Sequence, residues 1–477
     1  MAELKRVVKN STFIFLTNLF GKILTLVLII ILARYLGVQD YGKFSFVISF
    51  VGLFAVFGNF GLGLLLKRLV SRNKKKVNYY FSNAIIISGL FNFLTFLTII
   101  LFANILRYDR SVIGLIIVGA LFVVFQNLKS PFQSVYEAFE KMQYVFWTRI
   151  TKIVFRLLLV LLFIFLERGI LEILLVYAFV EIVMVLINLW IYNRYIGKIS
   201  FKPDKKSWWK LIKQAAPFGV AGVFMTIYDK IDVTMLSKMV PSPDLYIGYY
   251  SSAYELMSSL GFIAMSISGA LAPIAFRAFV NNKAKLKRIF KDTFKIFMSL
   301  AVPICIGGVL LAQQIVFLIY GNDFSGAVIA FQILVWAVIF NFEMFALGLA
   351  LNSMNLEKET MKATILSVIF NIVANIILIP IYGYLAAAIT TVGSVLVYFI
   401  YCFRVTQRRL VKINLFKMLI PIVASSIAMG VIIYFLKDLL HVVILIPIGF
   451  LVYAGFLFLT KGVDMKLIKS VLDALKK

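Results

Sequence analysis

Two cysteines and one histidine are all that this 477-residue chain offers to metal or imidazole chemistry. Cys305 and Cys402 fall in separate apolar stretches, so no disulfide or metal framework is implied. A lone His441 leaves a zinc site or a histidine-based relay without its parts. No G-x-x-x-x-G-K-[ST] occurs, which removes a P-loop and with it ATP hydrolysis as a power source. Neither a Ser/His/Asp set nor paired carboxylates beside a soluble cleft can be assembled. The expectation is therefore a protein that is not an enzyme and needs no cofactor or metal. Polar surface is also scarce. The chain is 62% hydrophobic with a mean hydropathy of +0.98, whereas soluble domains sit near about 45–50% apolar.

What is abundant is apolar sequence in windows of about 20 residues, recurring from Ser11 almost to the C-terminus. Continuous apolar runs exclude a β-barrel, whose strands would alternate over about 10 residues. The first window is too long for a signal-peptide core and lacks a cleavage site, so it reads as a true first helix. The fold expected is an all-α membrane protein of about fourteen transmembrane helices. Short connections separate them. The exception is a basic stretch around Pro203, Trp208 and Trp209, a linker with an interfacial anchor.

A net charge of +28 could suggest nucleic acid. Its placement argues for positive-inside loops instead, so no nucleic-acid partner is expected. With both termini cytoplasmic, most of the 49 Lys and Arg residues fall on inner segments. Only Arg34, Lys43, Arg107, Arg110, Arg168, Lys238 and Lys437 fall on outer ends, and that bias predicts the orientation. The basic loops Lys67–Lys76 and Arg277–Lys295 are expected to meet anionic lipid headgroups.

A weak internal repeat aligns Gly42 with Gly248, each followed by an aromatic residue and a serine. It predicts two pseudo-repeated six-helix lobes around a central cavity. The boundaries are 1–192 for the N-terminal lobe, 193–212 for a basic cytoplasmic linker and 213–403 for the C-terminal lobe. Residues 404–477 add two further helices and a basic cytoplasmic tail.

Charges inside apolar spans are the functional signal, because a charge at membrane depth costs several kcal/mol unless it faces protein or water (about 2.5 or more). The seventh span carries Asp229, Lys230 and Asp232, with Thr226, Lys230, Thr234 and Ser237 on one face. The first has Ser11, Asn18, Lys22 and Thr25; the fourth has Gln126, Lys129, Gln133 and Glu137. The fifth has Arg149, Lys152 and Arg156 on one side, and the eighth has Glu255, Ser258, Ser259 and Ser266. The candidate cavity set is Lys22, Arg156, Lys230, Lys129, Asn18, Asp229 and Glu255. Arg149 and Lys152 can equally snorkel to headgroups. The stripe Thr364, Ser367, Asn371 and Asn375 can equally be helix–helix glue. Glu181, Glu255 and Glu343 are each open to pairing with these cations or to taking up an ion. A shared positive cavity suits an anionic ligand, with Lys as a point-charge phosphate binder and Arg adding bidentate contacts.

The order of several short motifs resembles polysaccharide-biosynthesis flippases of the O-antigen (Wzx-like) type. These motifs are Ala33-Arg34-Tyr35-Leu36-Gly37 with Asp40-Tyr41-Gly42, then Asn59-Phe60-Gly61-Leu62-Gly63. Further along come Lys230-Ile-Asp-Val-Thr-Met-Leu236 with Ile247-Gly-Tyr-Tyr-Ser-Ser-Ala253, and Ile319-Tyr-Gly-Asn-Asp-Phe324. That family belongs to the multidrug/oligosaccharidyl-lipid/polysaccharide exporter superfamily, and the resemblance runs over essentially the whole chain. It implies a two-lobed bundle working by alternating access in the plasma membrane. The implied cargo is a polyisoprenyl-(pyro)phosphate-linked oligosaccharide, moved from the cytoplasmic to the outer leaflet. A polysaccharide polymerase or glycosyltransferases would be further partners, besides membrane lipids. Lys22, Arg156 and Lys230 are the positional matches for pyrophosphate-holding cations. The extra two spans are similar to those of lipid II flippases. The denser cationic pattern of that group at the start of span one is absent, which disfavours lipid II itself. The rival expectation is an ion-coupled exporter of drugs or metabolites from the same superfamily.

Overall fold

A computed structural model describes residues 2–198 and 203–460. The residues 199–202 of the expected linker and the expected basic tail at 461–477 lie outside the described residues, as does the side chain of Ser11. Within them the chain is helical and strand-free. A lipid-facing backbone has no water to bond with, so each peptide group must be satisfied inside its own helix.

Packing divides the chain into two units, Met1–Ser237 and Lys238–Lys477. The first unit contains α1 (Ala2–Asn59), α2 (Leu62–Arg72), α3 (Val77–Ile105), α4 (Arg110–Leu128) and α5 (Ser130–Ala138). It continues with α6 (Met142–Phe165), α7 (Ile170–Tyr195) and nearly all of α8 (Lys205–Met239). The seventh span thus packs with the first unit, while the repeat-based lobe boundary places it in the second half of the chain.

Helix α1 carries the first two spans. Its 58 residues are divided at Gly37, whose φ of 69° is left-handed backbone that a side chain would strain. The second span breaks again at Phe60 and Gly61. At Gly61 φ is 77°, and an added Cβ would lie 2.6 Å from both the Ala215 carbonyl oxygen and the Gly219 nitrogen of α8. A break at membrane depth frees backbone carbonyls, and nearby amides take them up. Asn92 donates to the Gly58 carbonyl at 3.1 Å and Asn127 to the Ala55 carbonyl at 2.7 Å. The fourth span is also broken, between α4 and α5 at Lys129, with Pro131 opening the second piece. Asn59 Nδ2 donates to Ser130 Oγ at 2.8 Å, which ties the two breaks together.

The second unit contains α9 (Pro243–Asn281), α10 (Lys283–Leu310), α11 (Ala312–Tyr320), α12 (Ala327–Leu334) and α13 (Ala337–Ser353). After these come α14 (Glu357–Tyr382), α15 (Tyr384–Arg409), α16 (Leu415–Leu436) and α17 (Val442–Leu459). Cys305 Sγ donates to the Val335 carbonyl at 3.0 Å, where the chain breaks between α12 and α13, and both native thiols are fully enclosed. The last two helices dock through an apolar core that includes Leu311, Met429, Ile433 and Leu445. The stripe on α14 is helix–helix glue. Ser367 donates to the Ser394 carbonyl, and Thr390 of α15 donates to Asn375.

Among the described residues, twelve helical stretches are long and apolar enough to cross a membrane. One of these, Leu16–Arg72, contains two spans joined at Gly37. Helix α6 is a further span at 24 residues, apolar enough to cross but carrying three charges, Arg149, Lys152 and Arg156, in its N-terminal two thirds. The fourteen spans expected from sequence are therefore accounted for.

Candidate functional site

The charges excluded from lipid in the first unit gather around one acid. Glu181, on α7, has 0% exposure. Its carboxylate pairs with Arg156 Nη2 at 2.7 Å, with Lys152 Nζ at 3.5 Å, and with Lys129. Lys152 and Arg156 are four residues apart on α6, so they stand one above the other on a single face. Lys129 comes from a different direction, the junction between α4 and α5. All three cations are themselves largely enclosed, with side chains 11–20% exposed.

The Arg156 guanidinium has a second anchor. Its Cζ lies 4.2 Å from the Tyr177 ring centroid and 5.4 Å from that of Phe122. Tyr177 sits one turn before Glu181 on α7, so the same helix face supplies both the acid and the aromatic platform. Taken together, the three cations and one carboxylate carry a formal charge of +2 inside the span region. Isolated burial of such charges costs several kcal/mol each, so the arrangement persists only because the carboxylate is shared.

The cationic strip extends to α1. Arg149 Nη1 donates to Asn18 Oδ1 at 3.2 Å. Arg149 lies so close to α1 that a Cβ on Gly21 would sit 3.3 Å from its Nε. Lys22 is the next residue, half-buried, one turn beyond Asn18. Asn18, Lys22, Arg149, Lys152, Arg156 and Lys129 therefore belong to one positive region of the first unit.

Lys230 and Asp229 do not join this cluster. Lys230 is half-buried, its aliphatic stem 3.8 Å from where a Cβ on Gly52 of α1 would stand, and among the described residues it forms no ion pair. Asp229 is exposed and Asp232 buried. Glu255 lies on α9 of the second unit and is half-buried.

Two readings from sequence change. Lys152 turns to Glu181 instead of running out to the headgroups, because a fully enclosed carboxylate lies within its reach. Glu181, one of three acids between which the sequence does not choose, is the hub. The signal that could have found it is the i, i+4 pair Lys152–Arg156 in mid-span, which demands a counter-charge on a neighbouring helix.

Residues 7–279 match the family model described as "Polysaccharide biosynthesis protein", and residues 217–377 match the MatE model. The chain is 23% identical over 395 residues to the probable low-salt glycan biosynthesis flippase Agl15 of Haloferax volcanii, covering 81% of this chain and 80% of that protein. Its fold is similar to that of the lipid II flippase MurJ in an inward closed conformation. The TM-score is 0.78 at 18% identity, over 92% of this chain and 96% of the other. An inward-facing multidrug resistance transporter of the MATE family aligns with a TM-score of 0.65 at 14% identity, over 82% and 94%. Both solved structures share the fold.

Proposed function

We propose that this chain, which belongs to the polysaccharide biosynthesis protein family, is a flippase for a polyisoprenyl-(pyro)phosphate-linked oligosaccharide. The observation that carries the reading is the surplus of enclosed positive charge around Glu181. A drug exporter has no use for it, whereas a phosphate that must leave water does. The probable glycan biosynthesis flippase of Haloferax volcanii, similar over four fifths of the chain, points to the same class of cargo.

In this reading the phosphate meets Lys129, Lys152 and Arg156, with Lys22 and Arg149 at the approach. Glu181 keeps the cations from repelling one another until the anion arrives. The lipid tail stays in the bilayer while the sugar passes through a polar interior. Transport runs from the cytoplasmic to the outer leaflet of the plasma membrane, with both termini on the cytoplasmic side. In this reading the first unit, seventh span included, and the second unit are the two moving bodies, with Lys230 and Asp229 as further cargo contacts in the first and Glu255 in the second. Polymerases or glycosyltransferases would act downstream on the delivered glycan.

The test is lipid-linked oligosaccharide flipping in reconstituted vesicles. Arg156→Ala and Lys129→Ala are expected to cut the rate at least about 30-fold, the lower end of the cost of truncating one partner of a buried charge contact. Rates equal to wild type in both variants would remove the cluster from the transport path.

The match of residues 217–377 to the MatE model supports a second reading, an ion-coupled exporter. It predicts that a cationic drug and not a phosphorylated lipid is moved by the same vesicles.

A further inference from the structure

Helices α14 and α15 form a hairpin about Gly383, so the start of the first and the end of the second lie at the same end of the second unit. Between them is a cavity of about 590 Å³. One part of its wall is arginine: Arg404, Arg408 and Arg409, all exposed and none in an ion pair among the described residues. Arg404 and Arg408 are one turn apart and therefore share a face.

The acid in the wall is already occupied. Glu359 accepts from Tyr401 on one oxygen and from Lys362 at 3.0 Å on the other. Arg409 shares the field of Glu359, while Arg404 and Arg408 have no acidic partner among the described residues.

The remaining wall is apolar. Leu366, Val397 and Ile400 line it, and Leu366 and Ile400 are 45% and 38% exposed. Both helices are long and apolar enough to cross a membrane, and exposed apolar side chains on such helices suit the hydrocarbon region. Seven helical residues separate Glu359 from Leu366, about 10 Å along the axis. That is the distance between a headgroup and the start of its chains, in a pocket whose charged and greasy ends are in that order.

We propose that this cavity is a binding site for an anionic phospholipid of the surrounding membrane. Its phosphate sits among Arg404, Arg408 and Arg409, and an acyl chain lies along Leu366, Val397 and Ile400. A soluble anion would gain nothing from the apolar wall. A zwitterionic lipid would present a choline or amine to three guanidiniums. The site is separate from the Glu181 cluster and does not depend on the transported cargo.

The experiment is native mass spectrometry of the full chain in detergent, titrated with phosphatidylglycerol and with phosphatidylcholine of the same chains. Wild-type protein is expected to retain phosphatidylglycerol at least about five-fold better, and the triple Arg→Gln protein to lose that preference. Because these arginines are exposed, the triple Arg→Gln protein is expected to elute as wild type. A second variant, Ile400→Trp, fills the apolar end and leaves the arginines intact, and it too is expected to lose the lipid. Equal retention of the two lipids, or a preference unchanged in both variants, overturns the proposal. Displacement by millimolar inorganic phosphate would make this a soluble-anion site. Tighter retention of a polyprenyl phosphate than of phosphatidylglycerol would make it a cargo site. Either result also overturns it.

Discussion

Among the described residues each unit encloses one glutamate with 0% exposure in mid-span, and the two have opposite surroundings. Glu181 in the first unit is reached by three cations from two different directions. Glu343 in the second unit has no hydrogen-bond or ion-pair partner for either oxygen among the described residues, and its neighbour Phe342 packs on Phe297. In sequence the two look alike, Val180-Glu181-Ile182 against Phe342-Glu343-Met344, a lone acid between apolar residues. The difference teaches that a buried acid marks an electrostatic site only where other helices deliver charge to it. One acid holds a structure together; the other is merely enclosed by it.

Exchanging each acid for its amide tests this most directly. Glu181→Gln strips the counter-charge from three enclosed cations and is expected to lower stability by about 3–5 kcal/mol. Glu343→Gln leaves no ion unpaired and is expected to change stability by less than about 1 kcal/mol. Thermal unfolding in detergent reads both, and equal losses would erase the contrast between the units. Added inorganic diphosphate is expected to raise the unfolding temperature of Glu181→Gln more than that of wild type, since the anion replaces the missing carboxylate.

A smaller effect is expected at the break that helps to shape the first unit. Gly61→Ala places a Cβ against α8 backbone at a positive φ, with a loss of about 1–3 kcal/mol in the same measurement. Smaller still is the aromatic support of Arg156. Tyr177→Leu is expected to cost about 0.5–2 kcal/mol, and Tyr177→Phe, which keeps a ring under the guanidinium, less than Tyr177→Leu. A larger loss in Tyr177→Phe would mean that the phenol and not the ring face carries the contact.

The fold was legible in the sequence because apolar length is a local property. The spans could be read one at a time, and their number survives once Gly37 is seen to divide a single 58-residue helix. The site was legible in part. Lys22, Lys129 and Arg156 stand out as charges where charge is costly, and the last two do meet at one place. Their partner was not legible, because contacts between α6 and α7 or from the α4–α5 break depend on helix rotation and crossing, which periodicity leaves open. Lys152 shows the same gap: near a span end it reads as a snorkelling residue, and only the position of Glu181 reverses that. Helix α6 carries the complementary lesson. Its apolar residues are enough for a span, and the three charges that make it part of the site are what set it apart from the other spans.

The enclosure of Cys305 and Cys402, both fully shielded in the second unit, has a practical consequence. A maleimide reagent applied to intact cells finds no native thiol to modify, so the unaltered chain serves as its own blank. One reporter cysteine at Lys75 or Lys287 then reveals which side of the bilayer holds the basic loops, without first stripping the protein of sulfur.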